Sequence, residues 1–179
     1  VFVGKLLASI SEGAQSVVTI SAACAAAGII AGILGVTGLG SKIAMLIDVA
    51  SGGYLLLALF FTMVTSIVLG MGLPTTAAYL ILATVVAPAL VNLGVPTLTA
   101  HFFVVYYGCI STITPPVALA SYVAAGIAGA DVNKVGWTAA SYAATSFVLP
   151  FAFVYGPGLL MGGTLIENFF AVVTAALGT

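Results

Sequence analysis

The chain is written as long apolar blocks, cut by short clusters of glycine, proline and hydroxyl-bearing residues. Residues 1–15 read as a short, mildly amphipathic lead-in. Residues 16–37 read as a first crossing, since about 22 residues at about 1.5 Å each reach about 33 Å. Within that block Ala22, Ala26, Gly28, Gly32 and Gly35 supply small side chains at close helical spacing, which lets helices approach closely. A connector follows over 38–53, with a short interfacial helix expected over 43–49. Two apolar arms, 54–69 and 76–93, then flank a Gly/Pro break. The first arm covers only about 24 Å, less than the roughly 30 Å hydrocarbon layer. Short arms around such a tip predict a re-entrant helical hairpin; two thin crossings joined by a tight turn are the alternative.

The pattern repeats further on. Asn92-Leu93-Gly94-Val95-Pro96 is a turn cluster, after which Thr97 or Thr99 can cap a helix. That helix, expected over 100–110, is too short to span. It meets a second break at 111–116 and resumes over 117–128, so the halves form one interrupted crossing. Residues 129–134 are the most polar segment and read as an aqueous loop, with Asp131 capping or solvating it. Residues 137–155 read as another crossing with Trp137 as interfacial anchor. Gly156-Pro157-Gly158 ends it, and 166–176 begins a last helix. Pro88 and Pro150 lack comparable hydroxyl clusters and read as kinks.

Composition turns these blocks into a membrane assignment. Hydrophobic residues make up 63% of the 179 and charged residues only 4%, with a mean hydropathy of +1.33. Soluble domains carry about 25% charged residues, so the fold class expected is an all-α polytopic membrane protein. The charges are Lys5, Glu12, Lys42, Asp48, Asp131, Lys134 and Glu167. No basic patch exists, which excludes nucleic acid as a partner. Cys24 and Cys109 sit in apolar segments and read as small packing residues. His101 is the only histidine; it reads as interfacial, satisfied by water or a carbonyl, with proton coupling as the sharper alternative. One histidine, and no carboxylate within the breaks, give no basis for an intramembrane enzyme. No ring of charges suggests a channel. Placing Lys5 and Lys134 together in the cytoplasm and Lys42 opposite follows positive-inside counting for a re-entrant hairpin. The ends, Val1 and Thr179, lead us to expect a piece of a longer polypeptide.

The candidate chemistry lies in the two breaks. The first reads Gly70-Met71-Gly72-Leu73-Pro74-Thr75-Thr76 and the second Ser111-Thr112-Ile113-Thr114-Pro115-Pro116. Inside lipid, freed backbone groups persist only where they are buried in protein or line a cavity. Pro115 and Pro116 lack the donors that would reach the carbonyls of Ser111 and Thr112, and Thr114 is pushed out of helical geometry by the proline after it. Freed carbonyls plus the hydroxyls of Ser111, Thr112 and Thr114 make an oxygen-rich place at the negative end of a half-helix, suited to a dehydrated alkali cation. The amino end of the next half-helix suits an anionic substrate group. At the first break Gly70 and Gly72 allow unusual backbone geometry, Pro74 discourages one continuous helix, and Thr75 and Thr76 supply hydroxyls that can cap the second arm. Packing kinks without a site are the bland reading of both breaks, and would make the chain a structural or assembly subunit of a membrane complex.

Gly70-Met71-Gly72-Leu73-Pro74-Thr75-Thr76-Ala77-Ala78-Tyr79, followed by Ser111-Thr112-Ile113-Thr114-Pro115-Pro116-Val117, resembles the large membrane subunit of tripartite ATP-independent periplasmic (TRAP) transporters. The likeness is to the fused-permease, TAXI-type branch and to the carboxyl-terminal half of that subunit. The resemblance implies a sodium-driven elevator in a bacterial or archaeal inner membrane, not an enzyme. It has inverted repeats, each with a hairpin and a broken helix. It implies import of a small organic acid handed over by a periplasmic binding protein, with the remaining permease helices, including the small-subunit portion, as partners. On that likeness 1–53 is scaffold, 54–130 the transport unit (hairpin 54–93, broken helix 100–128), and 131–179 a loop, a crossing and a truncated helix. The same likeness puts ion and substrate on Gly70, Gly72, Thr75, Thr76, Ser111, Thr112 and Thr114, with sodium held by Ser111, Thr112, Thr114 and Gly70; no other cofactor is implied. A single copy of the repeat is present, so this segment alone is expected not to transport.

Overall fold

A computed structural model describes residues 2–160 and 162–177. Its described elements are helical throughout. In chain order they are α1 (Phe2–Val36), α2 (Leu39–Ser51), α3 (Leu55–Gly70), α4 (Thr75–Val85), α5 (Ala87–Asn92), α6 (Thr97–Ile110), α7 (Leu119–Ala128), α8 (Val132–Tyr142), α9 (Leu149–Tyr155) and α10 (Leu165–Leu177). Short 3₁₀ turns follow α6 (Ser111–Ile113), α8 (Ala144–Phe147) and α9 (Pro157–Leu160).

Many large apolar side chains lie on the surface. Val36, Ile127 and Leu165 are each at least 85% exposed, and helices apolar on every side belong in lipid. The chain is an all-α polytopic membrane protein. By length and composition Thr75–Asn92 can cross a bilayer alone. Two bent pairs also pass together, Ser21–Val36 with Leu39–Ser51 (70°) and Val132–Tyr142 with Ala144–Tyr155 (62°), giving up to three spans among the described residues.

Several expected boundaries move. Lead-in and first crossing are one helix, because nothing between Glu12 and Val36 forbids it and Gly13 sits in open space. Chain direction changes only at Gly38, whose left-handed φ of +66° suits glycine. The small residues Gly28, Gly32 and Gly35 face open space rather than a neighbouring helix. It is Ala27, with Cys24 and Leu34 partly buried beside it, that joins the core. Cys109 is exposed, contrary to the packing role expected of it. The expected crossing over 137–155 bends at Ala143, well before Pro150, which occupies the first turn of α9 where its missing donor costs nothing. The arm over 76–93 is one span, Thr75–Asn92, interrupted at Val86 two residues before Pro88, as a kink there requires. Neither Thr97 nor Thr99 caps α6, and neither Thr75 nor Thr76 caps α4: the cap positions are Pro96 and Pro74, without side-chain bonds. Asp131 does cap α8, accepting from the Lys134 N–H at 2.8 Å. The helix it starts shortens the expected aqueous loop.

α6 is the central post. α3, α4, α5 and α9 all pack on it, burying Phe103, Val104 and Tyr107 completely. Phe103 meets Tyr107 and Phe151 edge-on, with ring centroids 4.9 and 5.6 Å apart. The Tyr107 hydroxyl donates to the Phe147 carbonyl at 2.6 Å and so ties α6 to the bend between α8 and α9. That carbonyl belongs to an interrupted helix, where lipid offers no substitute donor. Tyr107→Phe is expected to lower stability by about 1 kcal/mol, read as the thermal midpoint of the purified protein; an unchanged midpoint would show that the bend holds without this tie.

Candidate functional site

α3 ends because Gly72 and Pro74 follow it. Gly72 adopts a left-handed φ of +78°, and Pro74 holds an extended angle at the cap of α4. The Met71 N–H reaches the Ile67 carbonyl at 3.0 Å, and the Leu73 N–H reaches that of Gly70 at 3.3 Å. α6 ends in the same manner. It tightens into the 3₁₀ turn, Thr114 is extended (φ −99°, ψ 122°) as the following proline requires, and helix resumes only at Leu119. Pro115–Pro116 is a cis peptide.

The two breaks touch. A methyl group built on Gly70 would lie 2.7 Å from Ser111 Oγ, 3.2 Å from Ser111 Cβ and 3.5 Å from the Gly108 Cα. One on Gly72 would lie 3.4 Å from Val117 Cγ1. Only glycine lets the end of α3 sit against the end of α6. Gly108, a turn earlier on α6, sits close to α4: a methyl there would lie 3.1 Å from Leu82 Cδ1 and 3.8 Å from Ala78 Cβ. Helices α3 and α6 therefore end together, and α4 begins there and packs back along α6. Pro115 is backed by α8, since a methyl on Gly136 would lie 3.6 Å from its ring.

This arrangement corrects one expected detail. The Ser111 carbonyl is not freed by Pro115; it accepts from the Thr114 N–H at 3.3 Å because the chain closes a 3₁₀ turn. The Thr112 carbonyl is different. The residues three and four further on are Pro115 and Pro116, neither of which has an N–H. At the end of α3 the Val68 and Leu69 carbonyls likewise receive no main-chain donor among the described residues. The Pro116 carbonyl accepts from the Tyr122 hydroxyl.

The three hydroxyls of the second break each give their proton to their own helix: Ser111 to the Gly108 carbonyl, Thr112 to Cys109 and Thr114 to Ile110, all at 2.7 Å. A hydroxyl that has donated its proton keeps two lone pairs for another partner. Ser111 is fully buried, and Thr112 and Thr114 are half-buried. No charged side chain lies in either flanking turn. The last turns of α3 and α6 carry no base, and the first turns of α4 and α7 no acid or side-chain cap. Two negative helix ends thus converge in a neutral setting, beside a positive helix end with unpaired N–H groups at Thr75, Thr76 and Ala77. Among the described residues no group of three His, Cys, Asp or Glu could hold a metal ion.

Of the sequence-derived candidates, Gly70 and Ser111 are in contact, Gly72 meets Val117, and Thr112 and Thr114 share the turn with Ser111. Thr75 and Thr76 open α4 with exposed side chains. His101 pairs its Nδ1 with the Tyr79 hydroxyl at 3.0 Å, across α6 and α4. Residues missed from the sequence are Thr62 and Ser66, both fully buried on α3. The signal was present as Ala58, Thr62, Ser66 and Gly70 at strict four-residue spacing.

Together the apolar helices and the paired breaks define a multi-pass membrane protein. The family model described as "Tripartite ATP-independent periplasmic transporter, DctM component" matches residues 2–167, and the chain belongs to that family. It is therefore a TRAP transporter permease component and not an enzyme, and membership implies a periplasmic binding protein and other permease components as partners. Comparison with curated proteins and with solved structures returns no match.

The Gly70 contact can be tested by itself. Gly70→Ala forces its methyl onto the buried Ser111 and is expected to cost about 1–3 kcal/mol. Gly28→Ala, into open space, is expected to change stability little. Thermal midpoints of the two variants compare them directly; equal midpoints would mean that the breaks are not locked together.

Proposed function

We propose that this chain supplies a cation and substrate site of a sodium-driven permease that imports a small organic anion delivered by a periplasmic binding protein. The observation that carries the reading is the Gly70–Ser111 contact, which joins the carboxyl ends of α3 and α6. Sodium suits the oxygens there. They are neutral carbonyls (Leu69, Thr112) and hydroxyls that have already given up their protons. Divalent ions are held chiefly by carboxylates, and the breaks contain none. In this reading Ser111, Thr112, Thr114 and the Gly70 turn hold sodium. The substrate carboxylate is met by the unpaired N–H groups that open α4, next to Thr75 and Thr76.

We further assign residues 54–130 to the moving transport unit, with 54–93 as a re-entrant hairpin, and 1–53 and 131–179 to the surrounding frame. The first arm, Leu55–Gly70, and the halves of the broken helix, Thr97–Ile113 and Leu119–Ala128, are too short to count as spans, which supports this organisation, while the second arm, Thr75–Asn92, is long enough to cross; the likeness to the carboxyl-terminal half of a fused, TAXI-type permease in the inner membrane agrees with it.

In proteoliposomes containing the intact permease and its binding protein, uptake is expected to require an inward sodium gradient. Uptake that persists unchanged in sodium-free, potassium-balanced buffer refutes the coupling. Thr114→Val keeps shape and removes one oxygen. It is expected to raise the sodium needed for half-maximal uptake by about 5- to 30-fold, the equivalent of about 1–2 kcal/mol, with expression preserved. Equal sodium activation in variant and parent removes Thr114 from the site. If the breaks are packing kinks instead, Ser111→Ala and Thr112→Ala leave transport intact and change stability alone.

A further inference from the structure

Among the described residues three buried hydroxyls have no hydrogen-bond partner: Thr62 Oγ1, Ser66 Oγ and Ser121 Oγ. Two of them form a pair. Thr62 and Ser66 are both 0% exposed and lie one helical turn apart on α3. Their row continues to Gly70, whose face is pressed against Ser111 and Gly108 of the α6 end. Because α3 and α6 end together and pack along each other, the row that carries Thr62 and Ser66 belongs to the same seam, one and two turns below the touching breaks.

Several exposed hydroxyls of the chain turn back on their own helix. Thr84 donates to the Leu80 and Ile81 carbonyls, Ser141 to Trp137, and Thr174 to Phe170 and Ala171. Thr62 and Ser66 do not, so their hydroxyls are directed away from the available carbonyls. A buried hydroxyl without a partner costs about 1–3 kcal/mol, and two adjacent ones on a helix that has every means of satisfying them call for a ligand.

We propose that Thr62 and Ser66 form an internal water-binding site in the seam between α3 and α6. Water fits better than a second cation. A dehydrated cation needs several oxygens at once, whereas α3 is an unbroken helix here and offers only the two hydroxyls. A water molecule needs two to four polar partners and both donates and accepts, which matches hydroxyls that must do the same. The bound water bridges neighbouring turns of α3 and fixes their register on α6, so that Gly70 stays seated on Ser111. Thr62 and Ser66 are therefore positioning residues. This inference does not rest on the sodium reading, since it needs only the seam and the unpaired hydroxyls.

The test uses the intact permease, purified, with Thr62→Val, Thr62→Ser and Ser66→Ala. Valine keeps the shape of threonine and loses the hydroxyl; serine keeps the hydroxyl and loses a methyl. The thermal midpoint is expected to fall by about 2–4 °C for Thr62→Val and for Ser66→Ala, and to stay nearer the parent for Thr62→Ser. The sodium concentration giving half the sodium-induced stabilisation is expected to hold within about twofold in all three, a change small against the tenfold that about 1.4 kcal/mol represents. A valine variant as stable as the parent, or more so, means a dry, unsatisfied hydroxyl and overturns the proposal. A serine variant that loses as much as valine assigns the loss to packing, which also overturns it. A sodium requirement raised about tenfold or more in Thr62→Val or Ser66→Ala makes these residues cation ligands and rejects water. Loss of sodium stabilisation in Thr114→Val, with the Thr62 and Ser66 results as expected, bears on the upper site and leaves the water site standing.

Discussion

A peptide group inside lipid has nowhere to turn for a hydrogen bond except to the protein itself. Helix formation answers that requirement along most of this chain, and at two places the sequence forbids the answer. Gly72 and Pro74 end α3, and Pro115 with Pro116 ends α6. The structure places both interruptions against one another, Gly70 on Ser111 and Gly72 beside Val117. The packing of α3, α4 and α5 around α6 follows from that meeting point, because helices that share an end at contact distance are bound to share a seam.

That seam is built from small side chains. Ala58, Thr62, Ser66 and Gly70 form a row of buried residues on α3, and Gly108 keeps α6 close to Leu82 of α4. Between membrane helices, where burial of apolar surface gives no preference for protein over lipid, close van der Waals approach and buried hydroxyls hold helices together. The same small residues that permit contact also admit polar chemistry between the helices. Bulkier side chains on this row would strengthen dispersion contacts locally and would separate the two breaks.

Much of the arrangement is legible in residue order. The arms around Gly70–Thr75, the interruption at Ser111–Pro116 and the extended Thr114 follow from fixed properties of glycine and proline, and the structure has all three. It also has the Asp131 cap. Order misleads where tertiary surroundings decide. Gly28, Gly32 and Gly35 have the spacing of a close helix contact, yet spacing cannot say which face meets a neighbour, and they look outward. Pro150 occupies the first turn of α9 rather than bending a helix midway, because a first-turn position asks nothing of its nitrogen, whereas Pro88 follows the interruption at Val86 within the Thr75–Asn92 span. The Ser111 carbonyl, expected to be free, is claimed by a 3₁₀ turn. What no reading of order supplies is the distance between breaks separated by some forty positions; that contact depends on how α3 and α6 are seated.

The absence of charge around the junction belongs to the mechanism proposed. No Asp, Glu, Lys or Arg occurs between Asp48 and Asp131. A carboxylate at the breaks would attract a cation strongly, yet in a low-dielectric setting its own burial would be expensive when the ion left. Carbonyls and hydroxyls carry only partial charge, and helix ends add about half a unit each. They can exchange a cation for water without leaving an uncompensated charge behind. A site that must fill on one side of a membrane and empty on the other needs that reversibility, and neutral oxygens held at two converging helix ends provide it.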